Sequence, residues 1–224
     1  MRLLLFISIL INSALLFGQA KHTPTPDSLI QTYEEVIAGI KKDKANLKTN
    51  NISKDSCRVY LLDKFENHVF PHWIGTQWDY NGYTNKPGKD KLVACGYFVS
   101  TTLKHMGFNW NRFDLAKMYS LNIVQNTCSD IQKYSDKKEL ISYIISQPNN
   151  LYIVGLDSHV GFILKSKRTV WFVHSNYYGA IGPQKELAST SPALNDSYNY
   201  YVGTFFNDLN IEKWLNGTSY TFSE

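Results

Sequence analysis

The sequence predicts an α+β fold in which helices pack on an antiparallel sheet. In the first part of the chain, apolar residues recur at the three- and four-residue steps of helices. After Pro148, short runs rich in β-branched and aromatic residues indicate strands. Helix signals that precede strand signals are typical of α+β domains. With 224 residues, 43% of them hydrophobic, the chain is long enough for one domain with a substantial core.

The first 20 residues have the composition of a secretory signal peptide. Arg2 precedes an almost unbroken apolar stretch from Leu3 to Phe17, and small residues lie near a cleavage point at Ala20. A transmembrane anchor is the alternative, but this stretch of about 15 residues is shorter than the roughly 20 that a spanning helix needs. We therefore expect a signal peptide over residues 1–20, export to the periplasm or the extracellular space, and no stable membrane insertion after cleavage.

Helical periodicity predicts a first helix from Ser28 to Ile40. The polar stretch from Lys41 to Asp55 indicates a loop or a frayed helix end, so residues 21–55 are assigned to an N-terminal helix and linker. Residues 56–224 are assigned to the main domain. Further helical segments are predicted at Ala94 to Met106, Phe113 to Met118, Lys137 to Ser146 and, as a closing turn, Asn210 to Leu215.

Strands are predicted at Leu151 to Gly155, His159 to Leu164, Thr169 to His174 and Tyr198 to Thr204. The polar turn from Lys165 to Arg168 joins the second and third of these as a hairpin. In antiparallel pairing the start of one strand lies beside the end of the next, so His159 and His174 are expected at the same end of the sheet. The register must also place both rings on the side of Cys95.

Charge argues against nucleic acid as a partner. Removal of residues 1–20 takes away only Arg2 and lowers the formal net charge from +4 to +3. The lysines are scattered, apart from a small cluster between Lys41 and Lys48, and form no basic stripe with interleaved aromatic residues.

The three cysteines are Cys57, Cys95 and Cys128. In an exported chain two of them can pair and leave one over. If Cys95 is a nucleophile it must stay free, which makes Cys57 and Cys128 the expected disulfide; three unpaired thiols are the alternative. No Cys-x-x-Cys or His-x-x-x-His spacing indicates zinc, and we expect neither a metal nor a cofactor.

Cys95 lies at the start of a predicted helix, where N–H groups and the macrodipole lower the pKa of a thiol below its ordinary value of about 8.5. Gly96 would leave room for a substrate carbonyl, and the Cys95 N–H could serve as an oxyanion donor. An imidazole could take the thiol proton and later protonate a leaving amine, while a further polar group fixes its tautomer. The alternative is a buried structural thiol and hydrogen-bonded histidines of no catalytic use.

Several motifs together resemble those of the NlpC/P60 cysteine peptidases. The glycine- and aromatic-rich segment Ile74 to Gly82 resembles the family's G-T-P-Y-x-W-G-G stretch, and Ala94 to Val99 resembles its nucleophile motif, D-C-S-G-x-V. The strand segments that resemble P-G-D-L-V-F-F, H-V-G-I-Y and F-I-H-A-S are Pro148 to Val154, His159 to Ile163 and Phe172 to Asn176. The resemblance spans roughly residues 73 to 178 in the family's order.

The resemblance implies a papain-like fold with the nucleophile helix packed on the antiparallel sheet. It implies that Cys95 is the nucleophile, that His159 is the base and that His174 orients the base. It further implies a secreted amidase or endopeptidase that hydrolyses amide bonds in bacterial peptidoglycan stem peptides through a thioacyl intermediate. The predicted substrate-contacting residues are Trp73, Trp78, Tyr80, Gly96 and Ser158; for the aromatic ones, a place in the core is the alternative.

This chain departs from the family pattern at several positions. Ala94 replaces the Asp before the nucleophile, Asn150 replaces the strand Asp, and the family's aromatic clamp falls on Trp78 instead of a Tyr. The segment from Gly179 onward has no clear counterpart. The catalytic chemistry is therefore carried over more firmly than the choice of substrate. Two other functions stay open: a non-catalytic binding protein on the same scaffold, and an amidase or transferase that acts on a non-peptidoglycan protein.

Overall fold

The computed structural model describes residues 31–223. It contains a six-stranded sheet with apolar clusters on both faces. Every strand pair of this sheet is antiparallel, which confirms the predicted α+β class with an antiparallel sheet. The expected signal peptide lies outside the described residues. Between residues 31 and 223, none of the helices is long and apolar enough to cross a membrane.

Within residues 31–223, seven helical elements precede the sheet: α1 (Tyr33–Thr49), α2 (Lys54–Asp63), a π-helical turn (Lys64–Val69), α3 (Phe70–Trp73), α4 (Cys95–His105), α5 (Arg112–Ala116) and α6 (Ser120–Thr127). The predicted start of the first helix at Ser28 lies outside the described residues; within them, α1 begins after Thr32, whose hydroxyl accepts the Glu35 N–H in a capping box. The stretch from Lys41, expected to be a loop or a frayed helix end, is regular helix as far as Thr49, with its polar residues on the solvent side.

The strands are β1 (Ser129–Tyr134), β2 (Asn150–Gly155), β3 (Val160–Ser166), β4 (Thr169–Asn176), β5 (Gly182–Leu187) and β6 (Tyr200–Thr204), in the order β1-β6-β2-β3-β4-β5. Helices α7 (Lys137–Ser146), α8 (Pro192–Asn195) and α9 (Asp208–Asn216) complete the described part of the chain. The predicted strands agree with β2, β3, β4 and β6 to within two residues. The two strands that were not predicted, β1 and β5, form the edges of the sheet, where a polar sequence is tolerated.

The two faces of the sheet bury different side chains of β3. Val160, Phe162 and Leu164 belong to the cluster beneath α4, where the Phe162 ring lies 5.7 Å from that of Phe98. Ile163 belongs to the cluster beneath α7, together with Phe172 of β4. This alternation follows from the two-residue period of a strand, and it determines which face each functional side chain occupies.

All three cysteines are free thiols, so the predicted disulfide between Cys57 and Cys128 is wrong. Each of the two thiols has a separate environment. Cys57 is buried in α2 with its Sγ 3.9 Å from the Ile52 carbonyl oxygen. Cys128 ends α6 with its Sγ 3.6 Å from the Thr127 hydroxyl. Cysteine number alone could not predict this, because pairing depends on the distance between Cα atoms in the fold.

Candidate active site

Cys95 is the first residue of α4, as predicted. The preceding Ala94 has extended backbone (φ −76°, ψ 162°) and no side-chain cap, so the free N–H groups of the first turn can hydrogen-bond the thiol. The amides of Cys95 and Gly96 both act on Sγ in this way, and so does the Val160 N–H at the start of β3. The thiol therefore lies where the start of α4 meets the start of β3.

Three hydrogen bonds hold the backbone that leads into Cys95. The Ala94 N–H donates to the Gly82 carbonyl (2.8 Å). The Val93 N–H donates to the Gln77 carbonyl (2.9 Å), and the Val93 carbonyl accepts the hydroxyl proton of Ser175 (2.7 Å). Since Ser175 follows His174 in β4, one strand positions both the second imidazole and the backbone that precedes Cys95.

The two histidines are in direct contact. His159 Nε2 lies 2.8 Å from His174 Nδ1, and the rings are nearly perpendicular, at 84°. The two histidines therefore lie at the same end of the sheet, as the hairpin predicts, and share a nitrogen–nitrogen hydrogen bond. His159 is only 4% exposed and His174 is fully buried, where it stacks on Phe172 with ring centroids 4.1 Å apart.

One detail of the expected arrangement is wrong. His174 stacks on Phe172, which belongs to the cluster beneath α7, whereas α4 and its Cys95 pack on the opposite cluster. The second imidazole is therefore not on the Cys95 face. His159 precedes the first residue of β3 and is placed at the end of the sheet, where one ring can contact both sides.

Sequence reasoning missed Glu186 on the unpredicted strand β5. Its Oε1 lies 3.2 Å from His174 Nε2, and its side chain is 20% exposed. No motif marks this residue, because it lies in the segment that has no counterpart in the family pattern. The strand that carries it is six residues long, from Gly182 to Leu187.

Cys95 and His159 open into a common cleft of about 650 Å³. Four of the predicted substrate-contacting residues line it, namely Trp78, Tyr80, Gly96 and Ser158, together with Tyr119 and Tyr177. Tyr80 and Tyr119 are 81% and 85% exposed, so the cleft has aromatic walls that solvent reaches. A volume in this range is typical of small-ligand sites.

Trp73 is not part of the cleft, and its prediction as a substrate contact is wrong. It is fully buried and packs edge-on to Phe98 (5.6 Å) and Tyr33 (6.1 Å), as core aromatics do. The expected use of Gly96 also changes, because a Cβ there would lie 2.3 Å from the Ala116 carbonyl oxygen. The missing side chain lets α5 approach α4 and does not make room for a substrate carbonyl.

Burial dominates the electrostatics of the site. It raises the pKa of the Cys95 thiol, and the N–H groups of Val160, Gly96 and Cys95 oppose this rise only in part. The lowered thiol pKa expected from the helix start is therefore wrong. Burial also lowers the pKa of His159 well below its ordinary value, helped by His174, and lowers the pKa of His174 against the influence of Glu186. All three groups are uncharged at rest near pH 7.

Tyr177, directly after β4, is a second residue that sequence reasoning missed. Its ring lies edge-on to His159 at 5.2 Å and to Trp78 at 6.2 Å. It bridges the imidazole and the cleft wall, and so covers the base from solvent. Burial raises the pKa of Tyr177, with contributions from Asp196 and Cys95, so its hydroxyl stays protonated and can donate a hydrogen bond.

A larger groove, of about 910 Å³, lies elsewhere and contains none of these groups. Its basic side chains are already occupied: Arg58 pairs with Asp55 and Asp208, and the Lys165 Nζ donates to the Ile145 carbonyl at 2.6 Å. Across residues 31–223, no cluster of three or more His, Cys, Asp or Glu side chains could hold a metal ion. The thiol cleft is therefore the candidate active site.

No protein-family model, curated protein or solved structure matches the chain. The resemblance to the NlpC/P60 peptidases therefore rests on the sequence motifs quoted above.

Proposed function

We propose that this protein is a cysteine hydrolase that cleaves amide bonds, with Cys95 as nucleophile, His159 as base and His174 as the residue that orients it. The observation that carries this proposal is the buried hydrogen bond of 2.8 Å between the two imidazoles, one of which shares a cleft with a thiol at a helix start. Burial of two titratable rings costs free energy. Such burial, together with strongly shifted pKa values in a cleft, favours a functional site.

The geometry supports a definite order of proton transfers. Because His159 Nε2 is engaged by His174, Nδ1 is the nitrogen left to accept the Cys95 proton. The sulfur then attacks the substrate carbonyl carbon, and N–H groups at the start of α4 stabilise the oxyanion. Collapse of this intermediate breaks the C–N bond, His159 returns the proton to the leaving amine, and a thioester remains. Water, activated by the same imidazole, hydrolyses the thioester.

The substrate proposed here is a peptidoglycan stem peptide, on an NlpC/P60-like scaffold of papain-like fold. One observation and one expectation support this choice. The cleft is open, has aromatic walls and has the volume for a short peptide. The expected export of the chain would bring it to the bacterial cell wall.

The test is incubation of the purified protein with a defined set of muropeptides, followed by mass spectrometry of the products. Cleaved peptides should form with the wild type and disappear with Cys95→Ala. Cys57→Ala is the matched control, because it removes a thiol that lies outside the cleft. Muropeptides that bind without cleavage, in the wild type and in Cys95→Ala alike, would instead identify a non-catalytic binding protein. Cleavage of other amides or proteins alone would retain the chemistry and replace the substrate.

A further inference from the structure

Glu186 extends the hydrogen-bonded pair formed by His159 and His174. β5 pairs with β4 in a register that places Glu186 opposite Phe172 and Gln184 opposite His174. From this position the Glu186 carboxylate reaches diagonally to His174, with Oε1 3.2 Å from Nε2. Its other oxygen, Oε2, accepts the side-chain N–H of Gln184 at 2.9 Å. Both oxygens are therefore oriented by neighbouring side chains of β4 and β5.

The carboxylate is ionised at neutral pH. Burial raises the pKa of Glu186, but hydrogen bonds with His174 and Ser191 outweigh burial and hold this pKa below its ordinary value. The nearby Lys137 acts in the same direction, although its Nζ donates to the Ser189 carbonyl (2.6 Å) and to the side chain of Asn195. An ionised carboxylate can only accept hydrogen bonds.

This acceptor determines the tautomers of two rings in succession. His174 must carry its proton on Nε2 to donate to Glu186, and a neutral imidazole has only one N–H. Its Nδ1 is then an acceptor, so His159 must donate from Nε2 across the 2.8 Å contact. His159 is also neutral, which leaves its Nδ1 without a proton. In the reversed pair of tautomers Nδ1 of His159 would carry the proton and could not accept one from a thiol.

We propose that Glu186 is a positioning residue that acts through His174 to keep Nδ1 of His159 free as the proton acceptor for Cys95. The consequence for catalysis rests on the proposed function, whereas the tautomers can be measured without any substrate. The carboxylate has a second effect when the Cys95 proton moves to Nδ1. His159 is then a buried cation, and Glu186, beyond the next ring, stabilises that charge.

The experiment is a long-range ¹H–¹⁵N correlation spectrum of the histidine rings in wild type and Glu186→Gln near pH 7.5. In the wild type, both His159 and His174 should carry the proton on Nε2. In Glu186→Gln, the new amide can donate to His174, which should produce the reversed tautomers or a mixture. Glu66→Gln is the matched control. Glu66 is similarly buried (23% exposed) and pairs with Lys185 outside the site, so this change should leave the ring nitrogens as they are.

A wild-type spectrum with the proton on Nδ1 of His159 would overturn the proposal, even if Glu186→Gln failed to fold. Unchanged tautomers in a folded Glu186→Gln would also overturn it. If amide hydrolysis is found, kcat/KM should fall on the order of 10²-fold in Glu186→Gln and stay within about twofold in Glu66→Gln. This is a smaller loss than the roughly 10⁴-fold seen when a serine protease loses the carboxylate that contacts its base directly. Absence of hydrolysis in the wild type would contradict the proposed function, and the tautomer measurement would still decide the role of Glu186.

Discussion

An added methyl group at Gly161 should separate the two imidazoles. A Cβ at this position would lie 2.6 Å from a ring carbon of Phe172 and 2.8 Å from the Cβ of His174. Carbon atoms in contact are normally about 3.5–4.0 Å apart, so these neighbours must retreat by roughly 1 Å. Neither can do so easily, because Phe172 is fully buried and the His174 Cβ is attached to the backbone of a central part of the sheet.

Two magnitudes follow for Gly161→Ala. Overpacking of a buried site lowers the free energy of unfolding by about 1–3 kcal/mol. A shift of about 1 Å at His174 would also stretch the 2.8 Å contact between its Nδ1 and Nε2 of His159 beyond hydrogen-bonding distance. Misplacement of a catalytic group by this distance reduces the rate by on the order of 10²-fold.

The assays are urea unfolding, the histidine ring spectrum and kcat/KM on any substrate found. Gly39→Ala is the matched control, since Gly39 lies in α1 with nothing within 4 Å of an added Cβ. It should raise the free energy of unfolding by up to about 1 kcal/mol, because alanine favours helices more than glycine does. A Gly161→Ala protein with wild-type stability and an intact contact between the two rings would refute the reasoning.

Three further predictions concern the thiols, the base and the acid range. Cys95 should be alkylated by iodoacetamide faster than Cys57 and Cys128, as compared by peptide mass spectrometry. The rate at Cys95 should still rise with pH above pH 8.5, because burial raises the pKa of this thiol. Equal rates at the three thiols would argue against Cys95 as a nucleophile. His159→Gln should abolish hydrolysis. His174→Gln should retain part of the wild-type kcat/KM, because the glutamine side chain can still hydrogen-bond His159. Equal losses in the two variants would contradict the assigned roles. Burial is the main cause that lowers the pKa of His105 to about 4. Below about pH 6.5 the unfolded chain therefore binds a proton at this residue that the folded protein does not bind. The free energy of unfolding should decrease by about 1–2 kcal/mol between pH 6.5 and 4, after allowance for the partial exposure of the ring. Urea titrations should show a shallower decrease for His105→Gln, which retains a partner for the Tyr33 hydroxyl; an identical slope would assign the acid sensitivity elsewhere.

Periodicity predicted the elements whose own side chains are buried. β2 and β3 are apolar along almost their whole length, and α7 has a helical stripe with Asp136 as its cap, so local sequence and final burial agree. It failed at α6, which the sequence analysis did not predict, and at the edge strands β1 and β5. The residues of β1 and β5 are polar or weakly patterned, and these two strands become ordered because a neighbouring strand offers hydrogen bonds.

The sequence by itself determined the α+β class, the helix start at Cys95 and the hairpin that brings His159 to His174. These depend on contacts between residues close in the chain, where turn chemistry and alternation decide the outcome. Only the tertiary structure decided that Trp73 belongs to the core, that the cysteines stay unpaired, that burial raises the pKa of Cys95 and that Glu186 reaches His174. Each of these depends on packing between distant segments, because the degree of burial and the contact between neighbouring strands are set by the whole fold and are not encoded in the local pattern.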